Sequence, residues 1–177
     1  SIIACMFKNI GIVLKNSLAS GNSSVMNELL TVLLKKTENI FSIDNVSLDG
    51  VKTLDVKEFD NLVDLIIVFG GDGTLLGAAR KFINNGTPVL GINMGTVGFL
   101  TDVNIENFES VVKDIFEGNY ILEERSLVEA KFAEQEIFGL NEVLIHSGSY
   151  AQLMRYRLLI DDKTVYEQRS DGLIVAT

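Results

Sequence analysis

Apolar and polar positions divide the chain into two parts with different periodicities. In the first part, short runs that are apolar at nearly every position are typical of strands buried on both faces of a parallel sheet. These runs are 10–14, 65–69 and 89–92. Segments with apolar residues at helical spacing alternate with them, at 25–34, 75–84 and 105–116. Strands and helices in alternation predict a parallel α/β sheet.

The pattern changes near residue 120, where helices give way to strands alone. Strand-like segments follow at 121–133, 137–145, 153–160 and 173–176. Asp161, Asp162 and Lys163 between two of these segments are a turn candidate, because aspartate tolerates turn conformations. The pattern therefore predicts two domains, an α/β domain at 1–120 and a domain of strands at 121–177.

Composition and charge narrow the classes of function. The 177 residues allow one domain, or one domain and part of a second. A net charge of −9 excludes the overall basic surface of a nucleic-acid-binding protein. The apolar runs are far shorter than the roughly 20 residues of a membrane span, and no basic stretch precedes residues 2–7, so we expect neither a membrane segment nor a signal peptide. The single cysteine, Cys5, excludes an internal disulfide framework and favours a cytoplasmic location.

A glycine-rich loop, Gly-Gly-Asp-Gly-Thr at 70–74, stands between a buried strand and a helix. Open α/β sheets bind ligands at the carboxyl ends of their strands. Glycines let the backbone approach a ligand, and the positive end of a helix dipole favours phosphate. The loop therefore predicts a phosphate site. It differs from the Walker loop, which ends in Gly-Lys-Ser/Thr, and from Gly-x-Gly-x-x-Gly.

Asp72, in the middle of this loop, indicates chemistry beyond phosphate binding. A carboxylate among phosphate-binding amides serves as a general base for a hydroxyl, or as a ligand for the Mg²⁺ that accompanies a nucleotide. The alternative is a tight turn from strand to helix, with Asp72 as the helix N-cap.

A second glycine-rich loop, at 91–100, follows the next strand and is expected to lie beside the first loop. Its three glycines again permit close approach of a ligand, and Phe99 is suited to stack on a base. The alternative is a glycine-rich turn that places Phe99 in the core.

Five blocks of sequence together resemble the NAD kinase family. The strand at 10–14 resembles that family's first strand, and 70–74 matches its Gly-Gly-Asp-Gly-Thr motif. Residues 91–101 resemble Gly-Ile-Asn-x-Gly-x-x-Gly-Phe-Leu-Thr, Asn141 and Glu142 resemble an Asn-Glu/Asp motif, and 169–174 read Arg-Ser-Asp-Gly-Leu-Ile. The first motif alone is shared with lipid kinases and phosphofructokinases, whereas the ordered set is specific.

The resemblance implies a fold and a reaction. The fold is a Rossmann-like, phosphofructokinase-like parallel sheet domain, followed by the start of a β-rich domain of the β-sandwich type. The reaction is phosphoryl transfer from ATP, or in some members polyphosphate, to the 2′-hydroxyl of the adenosine ribose of NAD, giving NADP. Mg²⁺ accompanies the ATP, and members of the family form homodimers or homotetramers.

The same resemblance assigns residues of the first domain. Asp72 orients or deprotonates the 2′-hydroxyl. The positions that face phosphates are Gly71, Gly73 and Thr74. Phe99 and Leu100 line the adenine pocket, and Asn93 belongs to the same group of nucleotide-binding positions. No residue is assigned as a metal ligand.

In the second domain, Asn141 and Glu142 are expected to hold ribose hydroxyls or adenine, because each hydroxyl both donates and accepts hydrogen bonds. Asp171 is expected near the nicotinamide end of the dinucleotide, and Arg169 at a phosphate. His146 is interpreted as a hydrogen-bonded strand-end residue. Arg155 and Arg157 are interpreted as solvated or salt-bridged.

The family pattern continues with proline where this sequence stops at Thr177, so we expect a polypeptide of this length to bind NAD weakly. Two other functions stay open on the residues alone. One is a lipid or sphingoid kinase that shares the first motif, and the other is an inactive nucleotide-binding fragment.

Overall fold

A computed structural model describes residues 7–15, 24–43, 48–83, 85–95, 98–101, 103–148 and 152–177. The chain forms two compact units, Ser1–Glu123 and Glu124–Thr177, which we call the α/β unit and the β unit. This division lies three residues beyond the one expected from the sequence. Within the described residues, no helix is long and apolar enough to cross a membrane.

Six parallel strands form the sheet of the α/β unit, in the order β3-β2-β1-β4-β5-β6. The elements are β1 (Ile10–Leu14), α1 (Ser24–Leu34), β2 (Ile40–Ser42), β3 (Val51–Thr53), α2 (Val56–Leu62), β4 (Leu65–Gly70), α3 (Asp72–Lys81), β5 (Val89–Asn93), β6 (Val103–Asn104), a 3₁₀ turn (Ile105–Asn107) and α4 (Phe108–Phe116). This is the strand order of the Rossmann fold, so the predicted fold class is confirmed. The order reverses between β1 and β4, which is the place where such sheets bind ligands.

The central strands are buried because helices cover both faces of the sheet. Every residue of β1 and of β4 is buried. On one face, alternate apolar residues of these strands share a core with α1 and α4, and the Phe69 ring lies 5.6 Å from the Phe108 ring. On the other face, Gly11 leaves room for α2, since a Cβ there would lie 2.9 Å from Cε2 of the Phe59 ring.

Local signals fix two of the helix ends. Asp55 caps α2, because its Oδ1 accepts hydrogen bonds from the amides of Lys57 and Glu58 at 2.8 and 2.9 Å. Gly118 ends α4 at a φ of 82°, and the amide of Asn119 donates to the carbonyl of Asp114 at 2.8 Å. This is the Schellman arrangement, which needs a left-handed residue at that point.

The structure of the α/β unit differs from the predicted elements in two places. No element was predicted between α1 and β4, where β2, β3 and α2 lie, because these elements are too short to produce a clear periodicity. Helix α3 starts at Asp72 and not at 75, since its first turn contains Gly73 and Thr74 and carries no apolar signal.

The β unit contains three two-stranded antiparallel ladders among its described residues. They pair β7 (Val128–Phe132) with β8 (Gln135–Gly139), β9 (Glu142–His146) with β12 (Gly172–Ala176), and β10 (Met154–Ile160) with β11 (Lys163–Ser170). The β-rich character is confirmed, whereas closure into a sandwich stays a prediction. The predicted strand 121–133 begins only at Val128, and the predicted strand 137–145 is interrupted between β8 and β9.

The predicted turn between β10 and β11 is confirmed. Asp161 and Asp162 have φ values of 48° and 62°, and they connect the paired residues Ile160 and Lys163. Two central residues with positive φ define a type I′ turn, whose twist suits a two-residue hairpin. The strand after the turn, β11, was not predicted, because polar residues outnumber apolar ones along it.

Candidate active site

The glycine-rich loop at 70–74 forms the junction between β4 and α3. Gly71 is the N-cap of α3 in an extended conformation, with no side-chain cap, and Asp72 is the first helical residue. The alternative interpretation of Asp72 as the N-cap is therefore wrong. The amide of Thr74 donates to the carbonyl of Gly71 at 3.0 Å, which closes the first turn.

The second loop lies directly beside the first, as the sequence predicts. Strands β4 and β5 are neighbours, and their register pairs Gly70 with Asn93. The amide of Met94 donates to the carbonyl of Gly70 at 3.1 Å, so the backbones of the two loops are hydrogen-bonded at the carboxyl edge of the sheet.

The carboxylate of Asp72 joins the two loops through four hydrogen bonds. Its Oδ2 accepts from the amide of Phe99 at 2.8 Å. Its Oδ1 accepts from the amide of Leu100 at 3.0 Å, and from both the amide and the hydroxyl of Thr101 at 3.1 Å. We call this arrangement the carboxylate clamp.

The clamp stabilises the charged form of the Asp72 carboxylate. The amide of Phe99 is the largest influence and lowers the pKa of Asp72 below its ordinary value. Partial burial opposes this shift, and the donors of Leu100 and Thr101 add to it. Asp72 is therefore an anion at neutral pH, and it is a better hydrogen-bond acceptor than a proton carrier.

Two glycines are required by the packing around the clamp. A Cβ at Gly98 would lie 2.6 Å from Cγ of Asp72 and nearer still to Oδ1. A Cβ at Gly91 would lie 2.5 Å from Leu75 Cδ1 and 2.8 Å from Thr101 Cγ2. All three distances are below carbon–carbon van der Waals contact, so the clamp needs glycine at both positions.

Gly71 and Gly73 are glycines for which packing gives no reason. A Cβ at either position would meet nothing within 4 Å, and neither residue has a left-handed φ. The space beside this backbone is open at the N-terminus of α3, where amides and the helix dipole favour an anion.

The side chain of Phe99 is 99% exposed, so the alternative that placed it in the core is wrong. Asn93, by contrast, is only 3% exposed. Its Oδ1 accepts from the amide of Gly95 at 2.7 Å, and its Nδ2 donates to the carbonyl of Thr101 at 3.3 Å. In this structure Asn93 shapes the second loop from inside, while Phe99 and half-buried Leu100 lie at its surface.

Three of the four candidate residues of the β unit, Asn141, Glu142 and Asp171, lie at the two ends of the β9–β12 ladder, whereas Arg169 lies in β11 opposite Arg155. Glu142 begins β9 opposite Ala176, and His146 ends β9 opposite Gly172. Asp171 directly precedes Gly172, so it lies about 17 Å along the strands from Glu142, at about 3.3 Å per residue. The side chains of the four candidates are exposed: Asn141, Glu142, Arg169 and Asp171.

Three other side chains of the β unit have the partners that the sequence indicates. Arg157 is ion-paired with Glu167, and Arg155 lies 3.5 Å from the other oxygen of the same carboxylate. Nδ1 of His146 accepts a hydrogen bond from the amide of Gly148 at 3.1 Å, at the end of β9. The interpretation of Arg155 and Arg157 as salt-bridged is confirmed, and so is that of His146 as a hydrogen-bonded residue at a strand end.

Sequence reasoning missed Thr101 as a member of the site. The residue belongs to the quoted Gly-Phe-Leu-Thr block, which was the available signal, but nothing in the block shows that its hydroxyl contacts Asp72. Among the residues described, no group of three or more histidine, cysteine or acidic side chains is placed to hold a metal ion.

Comparison with known proteins gives consistent matches. The sequence model of the family described as the ATP-NAD kinase N-terminal domain matches residues 24–120 of this chain. The NAD kinase of Marinomonas sp. (strain MWYL1) is 46% identical over 135 residues, which are 72% of this chain and 46% of that protein. The chain thus spans about half the length of this relative.

Two solved structures are similar in fold. An NAD kinase from Archaeoglobus fulgidus, in complex with ATP, superposes with a TM-score of 0.69 at 28% identity, over 95% of this chain and 60% of that one. Yeast NADH kinase complexed with NADH gives a TM-score of 0.80 at 22% identity, over 96% of this chain and 57% of that one. The latter likeness concerns the fold alone.

Proposed function

The chain belongs to the NAD kinase family, and we propose that the protein transfers the terminal phosphoryl group of ATP, or of polyphosphate, to the 2′-hydroxyl of the adenosine ribose of NAD. The 46% identity to an NAD kinase supports this proposal. Because the chain spans only about half the length of that relative, the complete activity is proposed and not established. The comparisons do not favour a lipid or sphingoid kinase.

In the proposed reaction, the ribose 2′-oxygen forms a bond to the γ-phosphorus of ATP while the bond from that phosphorus to the bridging oxygen of ADP breaks. The hydroxyl donates a hydrogen bond to Asp72 and, as the new bond forms, releases its proton to solvent. Phosphoryl transfer depends mainly on positioning and electrostatic stabilisation, so a strong base is not needed. An ionised Asp72 with a lowered pKa fits the task of accepting the hydrogen bond of the hydroxyl and aligning its oxygen.

The observation that carries the proposal is the open backbone at the start of α3. Gly71 and Gly73 lack neighbours that would exclude a side chain, and they lie next to Asp72. We assign the amides of Gly71 and Gly73, together with Thr74, to the phosphates of the nucleotide. This assignment follows because phosphate binding needs close approach of the backbone and the positive end of a helix.

The other assignments follow from the family and the exposure of the side chains. Phe99 is placed to stack on adenine, since an exposed ring offers a face to a base. Asn93 contributes to nucleotide binding indirectly, because its side chain holds the loop that carries Phe99 and Leu100. In the β unit, the resemblance assigns ribose hydroxyls or adenine to Asn141 and Glu142, the nicotinamide end to Asp171 and a phosphate to Arg169.

Mg²⁺ enters the proposal with the ATP. Proteins commonly hold it through one or two carboxylates together with substrate phosphates. The clamp leaves Asp72 at most one open position on Oδ2, so the residues around it do not form a protein-only magnesium site. We therefore propose that phosphate oxygens supply most of its ligands, and that the ion neutralises charge on the transferred group.

The test is formation of NADP from NAD, ATP and Mg²⁺, measured by a dehydrogenase specific for NADP. The unaltered chain is compared with Asp72→Asn, which we expect to lose nearly all activity. Full activity in that variant would exclude Asp72 from the reaction. A sphingoid base is offered as acceptor in parallel, with NAD as competitor.

A second function is dinucleotide binding without turnover, which would use the four exposed candidate residues of the β unit and would not need Asp72 to act on a hydroxyl. Calorimetry with NAD distinguishes it, because binding without NADP formation supports this alternative. We also propose a homodimer or homotetramer for the full-length protein, which light scattering tests, and a cytoplasmic location.

A further inference from the structure

The two oxygens of the Asp72 carboxylate have unequal surroundings. Oδ1 accepts three hydrogen bonds, one from Leu100 and two from Thr101. Oδ2 accepts one, from the amide of Phe99. A carboxylate offers about four lone-pair positions, two on each oxygen. Oδ1 is therefore saturated, and Oδ2 keeps one position for a further donor.

Thr101 supplies two of the three donors on Oδ1, and its own position is fixed. Its side chain is fully buried, and its carbonyl accepts a hydrogen bond from Nδ2 of Asn93 at 3.3 Å. Its methyl group packs over β5 at Gly91, where a Cβ would lie 2.8 Å from Thr101 Cγ2. With the methyl group held on one side, the hydroxyl is directed towards Asp72.

We propose that Thr101 is a positioning residue for Asp72, whose buried hydroxyl and amide hold Oδ1 so that Oδ2 is the oxygen that meets the acceptor hydroxyl. This inference rests on the proposed function, because it takes a ribose hydroxyl as the group that donates to Oδ2. Thr101 touches neither substrate and acts through the carboxylate.

Loss of the hydroxyl has two expected effects. The carboxylate keeps its three amide donors, but it rotates more freely about the Cβ–Cγ bond, so the open position is shared between the two oxygens. We expect kcat to fall about tenfold with KM unchanged, which is the effect of losing, in the transition state alone, the aligned hydrogen bond between the acceptor hydroxyl and the charged Oδ2. Removing a donor to the charged form also raises the pKa of Asp72.

The experiment compares Thr101→Val, which removes the hydroxyl and keeps the methyl group, with Thr101→Ser, which keeps the hydroxyl. Thr31→Val is the matched control, because its hydroxyl bonds only to the carbonyl of Asn27 within α1 among the described contacts. Carbon-13 NMR follows the titration of the Asp72 carboxyl in the 177-residue chain, and initial rates with NAD and MgATP give kcat and KM.

We expect Thr101→Val to raise the pKa of Asp72 and lower kcat, Thr101→Ser to restore both, and Thr31→Val to change neither. An unchanged Asp72 titration in Thr101→Val, or no restoration by serine, would overturn the proposal. If the valine variant does not fold, Thr101→Ser is compared with Thr101→Ala, since both lack the methyl group and only serine keeps the hydroxyl. A parent chain that makes no NADP contradicts the proposed function, while the titration still decides the role of Thr101.

Discussion

Gly98 offers a direct test of the carboxylate clamp. Replacing it by alanine places a Cβ 2.6 Å from Cγ of Asp72. Carbon atoms pack best at about 3.5–4.0 Å, so the loop and the carboxylate must separate by about 1 Å. The hydrogen bonds of the clamp measure 2.8 to 3.1 Å, and a further 1 Å brings them to about 4 Å, where they no longer count as hydrogen bonds.

A misplacement of about 1 Å in an active site costs roughly 100-fold in rate, and we expect Gly98→Ala to slow NADP formation by about that factor. The expected loss is in kcat, because the role proposed for the carboxylate is to position the acceptor and not to add to its binding. Amide hydrogen exchange provides a measurement that does not depend on activity. The amides of Leu100 and Thr101 lose their acceptor in the variant, so they should exchange faster.

Gly95→Ala is the matched control, since it lies in the same loop and a Cβ there meets nothing within 4 Å. It also keeps the amide that donates to Oδ1 of Asn93. A Gly98→Ala chain with the parent's rate and slow exchange would refute the steric argument. An equal loss of rate in both variants would show that the loop tolerates no side chain at all.

Three further predictions concern the same unit. Gly73→Ala should fold but show a raised KM for ATP if the open backbone of α3 binds phosphate. Gly77→Ala, at an exposed position of the same helix, should keep activity and raise the free energy of unfolding in urea by about 0.5–1 kcal/mol. Asp55→Ala removes the cap of α2 and should cost about 1 kcal/mol in thermal or urea unfolding, and an unchanged midpoint would contradict it. Hydrogen bonds hold the pKa of Asp72 below its ordinary value of 3.8. The ionised carboxylate therefore contributes its full stabilisation above pH 3.8, and this contribution is lost as the pH falls through the native pKa. The difference in unfolding free energy between the parent chain and Asp72→Asn should accordingly narrow in acid.

The strands that carry the site were predictable from sequence because burial on both faces leaves a continuous apolar run. Strand β4 is buried at all six positions, and its end at the glycine-rich loop marks the edge where ligands bind. The neighbouring position of the second loop followed from the same topology. Helix α2 was missed although Asp55 and Glu58 form a capping box, since seven residues are too few for periodicity to register.

The clamp itself could not be predicted. Asp72 and Thr101 are 29 residues apart, and three of the four donors are backbone amides that carry no sequence signature. Their convergence depends on the adjacency of β4 and β5 and on the loop shape that buried Asn93 fixes from inside. A motif therefore identified the carboxylate, but only the fold showed what holds it.

The exposed ring of Phe99 has a consequence for changing substrate preference. The residue contributes its amide to Asp72 and its side chain to solvent, so the two parts are free to vary independently. Other side chains at this position would alter the surface offered to a base while the same amide still donates to the carboxylate. If Phe99 stacks on a base as proposed, mutational libraries at this position can thus search for acceptors with other bases without displacing the carboxylate of Asp72.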